Sequence, residues 1–321
     1  MPELPEVETI RRGLGRIIVN RTVKGTENFN SPKSFPNTLA DVEQFLIGAT
    51  VKDVRRRAKV LLIDLSTEYT LVIHLKMTGQ IIWIADTSRQ VSFRGRGVVG
   101  EFTSPTNGGG EPLLRWGAGH PSDSFVHTLP DNTTRERLDF TDDSHLYFND
   151  LRKFGWMRLY PTIEVPNIDF MQKVGPEPLE DEFTSTEFIP RIRKRNGTTI
   201  KAAILDQTVL AGVGNIYADE SLWMTEVHPA TRVRDVTDKQ LAELLTNIKA
   251  VMSLSIEKGG STDKNYVDTE GKKGSYLQFA NVFRREGQAC PRHPDIQIEK
   301  IRVAGRGTHV CPICQPTPVK D

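Results

Sequence analysis

The sequence predicts a two-domain α+β protein, and three patterns carry that prediction. A short amphipathic run opens the chain. β-rich segments separated by polar turns follow from about residue 23 to residue 160. Beyond residue 183 the apolar spacing becomes helical and ends in a compact cysteine-bearing module. A chain of 321 residues has room for two ordinary domains, each with its own core.

After Pro5, apolar side chains recur at Val7, Ile10, Leu14, Ile17 and Ile18, with Arg11, Arg12 and Arg16 on the other side. That is the period of a helix with one buried stripe. The runs Val60-Leu61-Leu62-Ile63, Thr70 to Leu75 and Met157 to Tyr160 are short and bounded by turn residues. They predict an antiparallel sandwich or barrel. Residues 86–124 are rich in Gly, Ser, Thr and Pro and predict a long mobile insertion. The Pro- and acid-rich stretch 161–182 predicts an inter-domain linker. Thr199 to Leu210 and Ile216 to Met224 read as two short helices joined by the tight turn Ala211-Gly212-Val213-Gly214-Asn215. A longer helix over 238–257 places Leu241, Leu244, Leu245, Ile248 and Met252 on one face. The expected division is therefore 1–160, a linker 161–182, a helical domain 183–282 and a terminal metal module 283–321.

Composition excludes some classes. Apolar residues make up 37% and charged residues 26%, as in soluble globular proteins. No apolar run approaches the ~20 residues of a membrane helix. Acids at Glu3, Glu6 and Glu8 and the lack of an apolar stretch exclude a signal peptide at the start. The formal charge is +1, which does not announce a nucleic-acid binder. Basic residues are clustered, however, at Arg55-Arg56-Arg57 with Lys59, at 191–195 and at Arg284-Arg285, and from residue 183 onward 20 Lys and Arg face 16 Asp and Glu. A charge run is usually only a solvated face, so these clusters acquire meaning from their neighbours.

The three cysteines lie in the last 32 residues. That argues against a disulfide framework and for a local metal site in a reducing compartment. The spacing is Cys290-x2-His293, then 17 residues, then Cys311-x2-Cys314. Two ligand pairs at this separation form a zinc-ribbon pattern, and one imidazole can replace one thiolate in a tetrahedral shell. His309 lies close by, so His293 is favoured as fourth ligand by spacing alone.

Pro2 is the remaining outlier. If Met1 is removed, the chain begins with a secondary amine beside Glu3 and Glu6. An unprotonated amine attacks electrophilic carbon, and an α-amino group titrates near pH ~8. The plain alternative is that Pro2 and Pro5 only open a helix, which prolines do well.

Three segments decide between these readings. Met1-Pro2-Glu3-Leu4-Pro5-Glu6-Val7-Glu8-Thr9, Gly212-Val213-Gly214-Asn215-Ile216-Tyr217 and Gly305-Arg306-Gly307-Thr308-His309 occur in the order seen in formamidopyrimidine-DNA glycosylases. The chain resembles that family over nearly its whole length apart from 86–124. The resemblance implies a fold: an N-terminal helix with a β-sandwich, then a helix-two-turn-helix domain with a zinc-finger β-hairpin. It also implies a bifunctional repair enzyme that excises oxidised purines and cuts the strand by β,δ-elimination. Its expected partner is damaged double-stranded DNA. One structural zinc, no small-molecule cofactor, a monomer and a cytoplasmic, nucleoid-associated location complete the picture.

The implied site is specific. Pro2 is the nucleophile, Glu3 the acid that handles the sugar ring oxygen, and Glu6 a supporting acid. Lys59 binds a phosphate next to the lesion, where a point charge suffices. Met77, in His74-Leu75-Lys76-Met77-Thr78-Gly79, fills the gap left by an extruded base; alone, it would read as a core residue. Arg152 contacts the orphaned base, Phe154 inserts between bases, and Lys153 meets phosphate. A lesion inside the stack must be flipped out, and side chains must take its place. Asn215 and Arg306 hold phosphates. Lys201 matches a lysine near the lesion pocket. Gly259 to Tyr276 resembles a loop that closes over the flipped base, with Tyr276 among the DNA contacts. Two departures stand out, His293 in place of a fourth cysteine and the insertion at 86–124, and Leu151 stands where a proline is usual. Two rival readings keep the same residues. One is the same chemistry on oxidised pyrimidines, as in endonuclease VIII-type enzymes. The other is a non-catalytic protein that binds damaged DNA, for which Pro2, Glu3 and Lys59 would not be needed.

Overall fold

The computed structural model describes residues 2–86, 113–119, 128–261 and 276–318. They fall into two compact units, Met1–Gln172 with Gly259–Gly274, and Lys173–Lys258 with Ser275–Asp321. Among the described residues no helix is long and apolar enough to cross a membrane.

In the first unit helix α1 (Leu4–Ile17) buries Val7, Ile10, Leu14 and Ile17 of the stripe that the sequence predicted, together with Leu4. Each such side chain contributes roughly 1.5–3 kcal/mol on burial. The helix lies against strands β2 (Val51–Arg57), β3 (Val60–Leu65) and β6 (Leu113–Gly119). Two antiparallel sheets share its core. One has the order β2-β3-β4-β9, with β4 Tyr69–His74 and β9 Trp156–Pro161. The other has the order β1-β7-β8-β5-β6, with β1 Val23–Asn28, β5 Gly79–Asp86, β7 Thr134–Phe140 and β8 His145–Asp150. Leu61, Ile63, Leu71 and Ile73 from one sheet meet Ile81, Trp83, Leu146 and Phe148 from the other. A short helix, α2 (Leu39–Phe45), follows β1 and starts with a Thr38–Asp41 capping box.

Two expectations change here. The stretch 161–182 begins as packed structure: a 3-10 helix over Thr162–Asn167 and helix α3 (Asp169–Lys173) bury Val165 and Met171 against Val60, Leu62 and Val72. This second layer explains why β3 is apolar on both faces rather than alternating. The insertion expected over 86–124 contains β6, which pairs with β5 from Gln80↔Gly119 to Asp86↔Leu113. Its few strand-forming residues were hidden between Gly- and Ser-rich flanks. Residues 87–112 and 120–127 lie outside the described residues.

The second unit holds α4 (Ser185–Arg193), α5 (Ile200–Leu205), α6 (Asn215–Met224), α7 (Asp238–Glu257) and the single-turn α8 (Tyr276–Phe279). The face of α7 carrying Leu241, Leu244, Leu245, Ile248 and Met252 is buried as predicted, and Thr237 and Gln240 form its capping box. A hairpin of β10 (Glu299–Val303) and β11 (Arg306–Val310) closes through Ala304 and Gly305, at φ 50° and 74°. Two consecutive left-handed residues are the signature of the tight hairpin turn whose twist matches its strands. The metal module is part of this unit rather than a separate domain: Cys290, Cys311 and Cys314 pack with Trp223 of α6, Val282 and Ile298.

Candidate active site

Pro2 is buried at the mouth of α1, and Glu3 is the N-cap. Glu3 N donates to Glu6 Oε2 at 2.8 Å, which closes a capping box on the first turn. The other Glu6 oxygen accepts from Ser261 N at 2.9 Å and Ser261 Oγ at 2.8 Å. Glu6 is only 2% exposed. Its carboxylate therefore ties the segment carrying Pro2 to the start of the loop that begins at Gly259. Gly259 and Gly260 sit at φ 76° and 94°, where a side chain would be strained. Residues 262–275 of that loop lie outside the described residues.

Lys59 occupies the two-residue turn between β2 and β3, behind Ala58 at φ 51°. At 8% exposure it is an enclosed side chain rather than a solvated loop lysine. The register Val60↔His74 sets this turn beside the next one. His74 Nδ1 accepts from Lys76 N at 3.0 Å. Burial, aided by the charges of Lys76 and Lys59, pushes the His74 pKa down to about 3, so the imidazole is neutral. The sequence reading passed over His74; a lone histidine at the end of an apolar strand gave no pattern to find.

The segment 74–79 and the segment 150–155 are neighbours because Gly79 pairs with Asp150. Asp150 is fully buried and serves as the hub of both. It accepts from Thr78 Oγ1, from Arg152 N at 3.2 Å and from Gly155 N at 2.6 Å. Arg152 N also donates to Thr78 Oγ1 at 3.0 Å. A Cβ added at Gly155 would lie 2.8 Å from the Phe148 ring, so only glycine fits. Lys153 takes φ 59°. The result is a stiff double turn presenting large side chains outward: Met77 is 39% exposed, Leu151 59% and Phe154 54%. The Arg152 guanidinium lies 5.0 Å over the Phe154 ring. Exposed apolar side chains on a rigid base mark an interaction surface. Leu151 does not loosen this turn, because the three donors to Asp150 close it.

In the second unit Asn215 opens α6 and its Nδ2 donates to Gly307 O at 3.0 Å. Arg306 is exposed at the hairpin tip. Behind it, Cys290, His293, Cys311 and Cys314 bring their ligand atoms within 4.8 Å of one another. Cys314 Sγ lies 3.2 Å from His293 Nδ1 and 3.8 Å from Cys290 Sγ. Three soft thiols and an imidazole converging in this way suit a tetrahedral metal ion. His309 is committed elsewhere: its Nδ1 lies 3.1 Å from Asp219 Oδ2 and its Nε2 3.3 Å from Glu286 Oε2. The geometry therefore selects His293 as the fourth ligand.

The formamidopyrimidine-DNA glycosylase N-terminal domain matches residues 1–157, and the H2TH domain of the same glycosylases matches 174–266. The chain belongs to the formamidopyrimidine-DNA glycosylase family. It is 36% identical over 316 residues to the formamidopyrimidine-DNA glycosylase of Herpetosiphon aurantiacus, covering 98% of this chain and 100% of that one. It is 34% identical to that of Ligilactobacillus salivarius, over 98% and 99% of the two chains. Among solved structures it resembles the Lactococcus lactis Fpg bound to DNA containing an abasic site, with a TM-score of 0.78, 29% identity, and 98% and 100% of the two chains covered. It also resembles the Lactococcus lactis protein bound to Fapy-dG-containing DNA, with a TM-score of 0.77, 29% identity and the same coverage.

Two residues that the family resemblance placed among the DNA contacts are inside the protein. Lys201 is 0% exposed on the inner side of α5, where Asp219 Oδ1 neutralises it at 2.5 Å. Tyr276 is 1% exposed, its ring 5.7 Å from that of Tyr217. Both side chains are enclosed by protein partners. Lys201 was placed by its match to a family lysine; its burial depends on Asp219, which lies 18 residues away. Met77, Arg152, Lys153, Phe154 and Arg306 are all exposed, and Asn215 half so.

Proposed function

We propose that this DNA glycosylase of damaged DNA is bifunctional and excises oxidised purines, 8-oxoguanine and formamidopyrimidines, through its N-terminal proline. Pro2 at the start of α1, beside Glu3 and the Glu6 tether, is the observation that carries the reading. The Pro2 nitrogen attacks C1′ of the damaged nucleotide, and the base departs with the bonding electrons and a proton. The nitrogen then loses its proton, and its lone pair closes an iminium with C1′ as the C1′–O4′ bond breaks and the ring oxygen takes a proton. Loss of a C2′ proton expels the 3′ phosphate, and a second elimination expels the 5′ phosphate. The iminium serves as the electron sink for both steps. Glu3 supplies or takes the proton at the ring oxygen. Lys59, Asn215 and Arg306 bind phosphates, and Met77, Arg152 and Phe154 fill the space of the flipped nucleotide.

A zinc ion held by Cys290, His293, Cys311 and Cys314 would be structural, because all four positions of the shell are filled by protein. Abasic-site and Fapy-dG complexes of the Lactococcus lactis relative support the substrate class. Borohydride trapping tests the proposal. A covalent adduct is expected on 8-oxoguanine duplex and absent in Pro2→Gly or with a residue left before Pro2. Absence of an adduct with any lesion sinks the proline chemistry. An adduct confined to dihydrouracil duplex transfers the enzyme to oxidised pyrimidines.

A further inference from the structure

The Arg306 hairpin is held by more than its own two strands. Lys201 Nζ donates to Asp219 Oδ1 at 2.5 Å, to Thr308 Oγ1 at 2.7 Å and to Gly307 O at 3.4 Å. The second Asp219 oxygen accepts from His309 N at 3.0 Å. Thr308 Oγ1 in turn donates to Arg306 O at 3.1 Å. Gly307 O also receives the Asn215 amide at 3.0 Å. Every residue from 306 to 309 is therefore bonded into one network, and Lys201, Asp219 and Thr308 are wholly enclosed.

A buried ion pair is poor evidence for stability, since desolvation cancels much of the attraction and an apolar pair packs as well. What it adds is direction. A two-stranded hairpin alone is marginal, and apolar contacts would let it slide. Fixed donors on α5 and fixed acceptors on α6 admit one register only. We infer that Lys201 and Asp219 form a buried positioning pair that locks the Arg306 hairpin to the start of α6, so that Arg306 and Asn215 grip the DNA backbone as one unit. Neither residue of the pair touches DNA; both act through Gly307, Thr308 and His309. The inference rests on the phosphate-binding reading of Arg306 and Asn215.

The test uses the full, metal-loaded chain and a duplex carrying a tetrahydrofuran abasic analogue. Binding is measured across salt concentration, where each phosphate neutralised by Lys or Arg contributes about 0.9 to the log–log slope. Arg306→Ala alone should lower the slope by about 0.9. Lys201→Met with Asp219→Asn, which removes both charges together, should lower it by about 0.9 with metal content retained. Adding Arg306→Ala in that background should change nothing further. Thr308→Val, isosteric and without charge, should move the slope in the same direction and decides the matter if the double variant does not fold. A merely structural pair would reduce melting temperature and leave the slope intact. A wild-type slope in a folded variant, or full additivity with Arg306→Ala, overturns the inference. An unchanged slope in Arg306→Ala alone instead overturns the phosphate-binding reading beneath it.

Discussion

Asp150 offers the sharpest test of how the double turn is built. It is fully buried and accepts from Thr78 Oγ1, Arg152 N and Gly155 N. Replacing it with asparagine keeps the shape and keeps one oxygen for Thr78 and Arg152. The amide nitrogen then confronts the Gly155 N–H at the 2.6 Å position, donor against donor. A hydrogen bond to a charged acceptor is worth about 1.5–3 kcal/mol, and an orphaned buried donor costs about 1–3. Asp150→Asn should therefore destabilise the protein by about 2–4 kcal/mol on that scale. Asp150→Ala also strands Thr78, although Arg152 N keeps its bond to the Thr78 hydroxyl at 3.0 Å, and should cost more. Denaturant unfolding measures the stability change. A fluorescent base analogue beside the lesion reports extrusion, which should slow in Asp150→Asn while encounter with undamaged DNA is unchanged. If Asp150→Asn unfolds at the wild-type denaturant midpoint and extrudes the base at the wild-type rate, Asp150 is not the hub.

Two further perturbations have defined outcomes. Glu136 is 1% exposed, and burial raises its pKa from 4.5 to about 7 despite the bonds from Thr26 and Asn28. The folded protein thus holds a proton that the unfolded chain releases, so the contribution is complete below pH 4.5 and is lost as pH rises to about 7. Relative to Glu136→Gln, the wild type should lose about 3 kcal/mol across that window and nothing beyond it, at 1.36 kcal/mol per unit. A constant difference from pH 4.5 to 7 would refute the buried, neutral carboxyl. Chelation of a metal held by Cys290, His293, Cys311 and Cys314, easier at low pH because the ligands must be deprotonated, should shift the emission of Trp223 if the proposed zinc is bound. That indole packs with Cys290, Cys311 and Cys314 and lies 4.2 Å under Arg292. Unchanged emission on metal loss would detach the module from α6.

Local patterns were readable in the sequence, and long-range partners were not. The stripe of α1 and the face of α7 followed from spacing, because a helix writes its buried face at intervals of three and four residues. The convergence of Cys290, His293, Cys311 and Cys314 followed from paired x2 spacing. Strand β6 was missed because its pairing with β5 depends on a partner about 30 residues earlier. The packed stretch after β9 was read as a linker because it is rich in proline and acids, and the buried Val165 of its 3-10 segment is isolated. For the site, Lys201 and Tyr276 matched a motif by position, yet burial is decided by neighbours distant in the chain. His309 and His293 were separated only when Asp219 was found to hold one of them.

The same physics recurs at each functional segment. Glu6 holds the start of α1 and Ser261; Asp150 holds the double turn; Asp219 holds β11. Glu220 accepts from the backbone N–H of Asn281, Val282 and Phe283, the entry to the metal module. All four carboxylates are 2% exposed or less. A carboxylate accepts on both oxygens and donates nothing when ionised, so it can gather several backbone N–H groups that no sheet or helix satisfies. Loops that must meet DNA cannot bury an apolar face to stay in place, because their outer side chains belong to the substrate. An acid fixed on a helix or strand beneath them supplies order without consuming that outer surface. Under the proposed chemistry Glu3 would handle protons beside Pro2, whereas these four carboxylates hold backbone N–H groups. Their replacement by asparagine or glutamine should disturb geometry and binding first, and the chemical step only through that geometry.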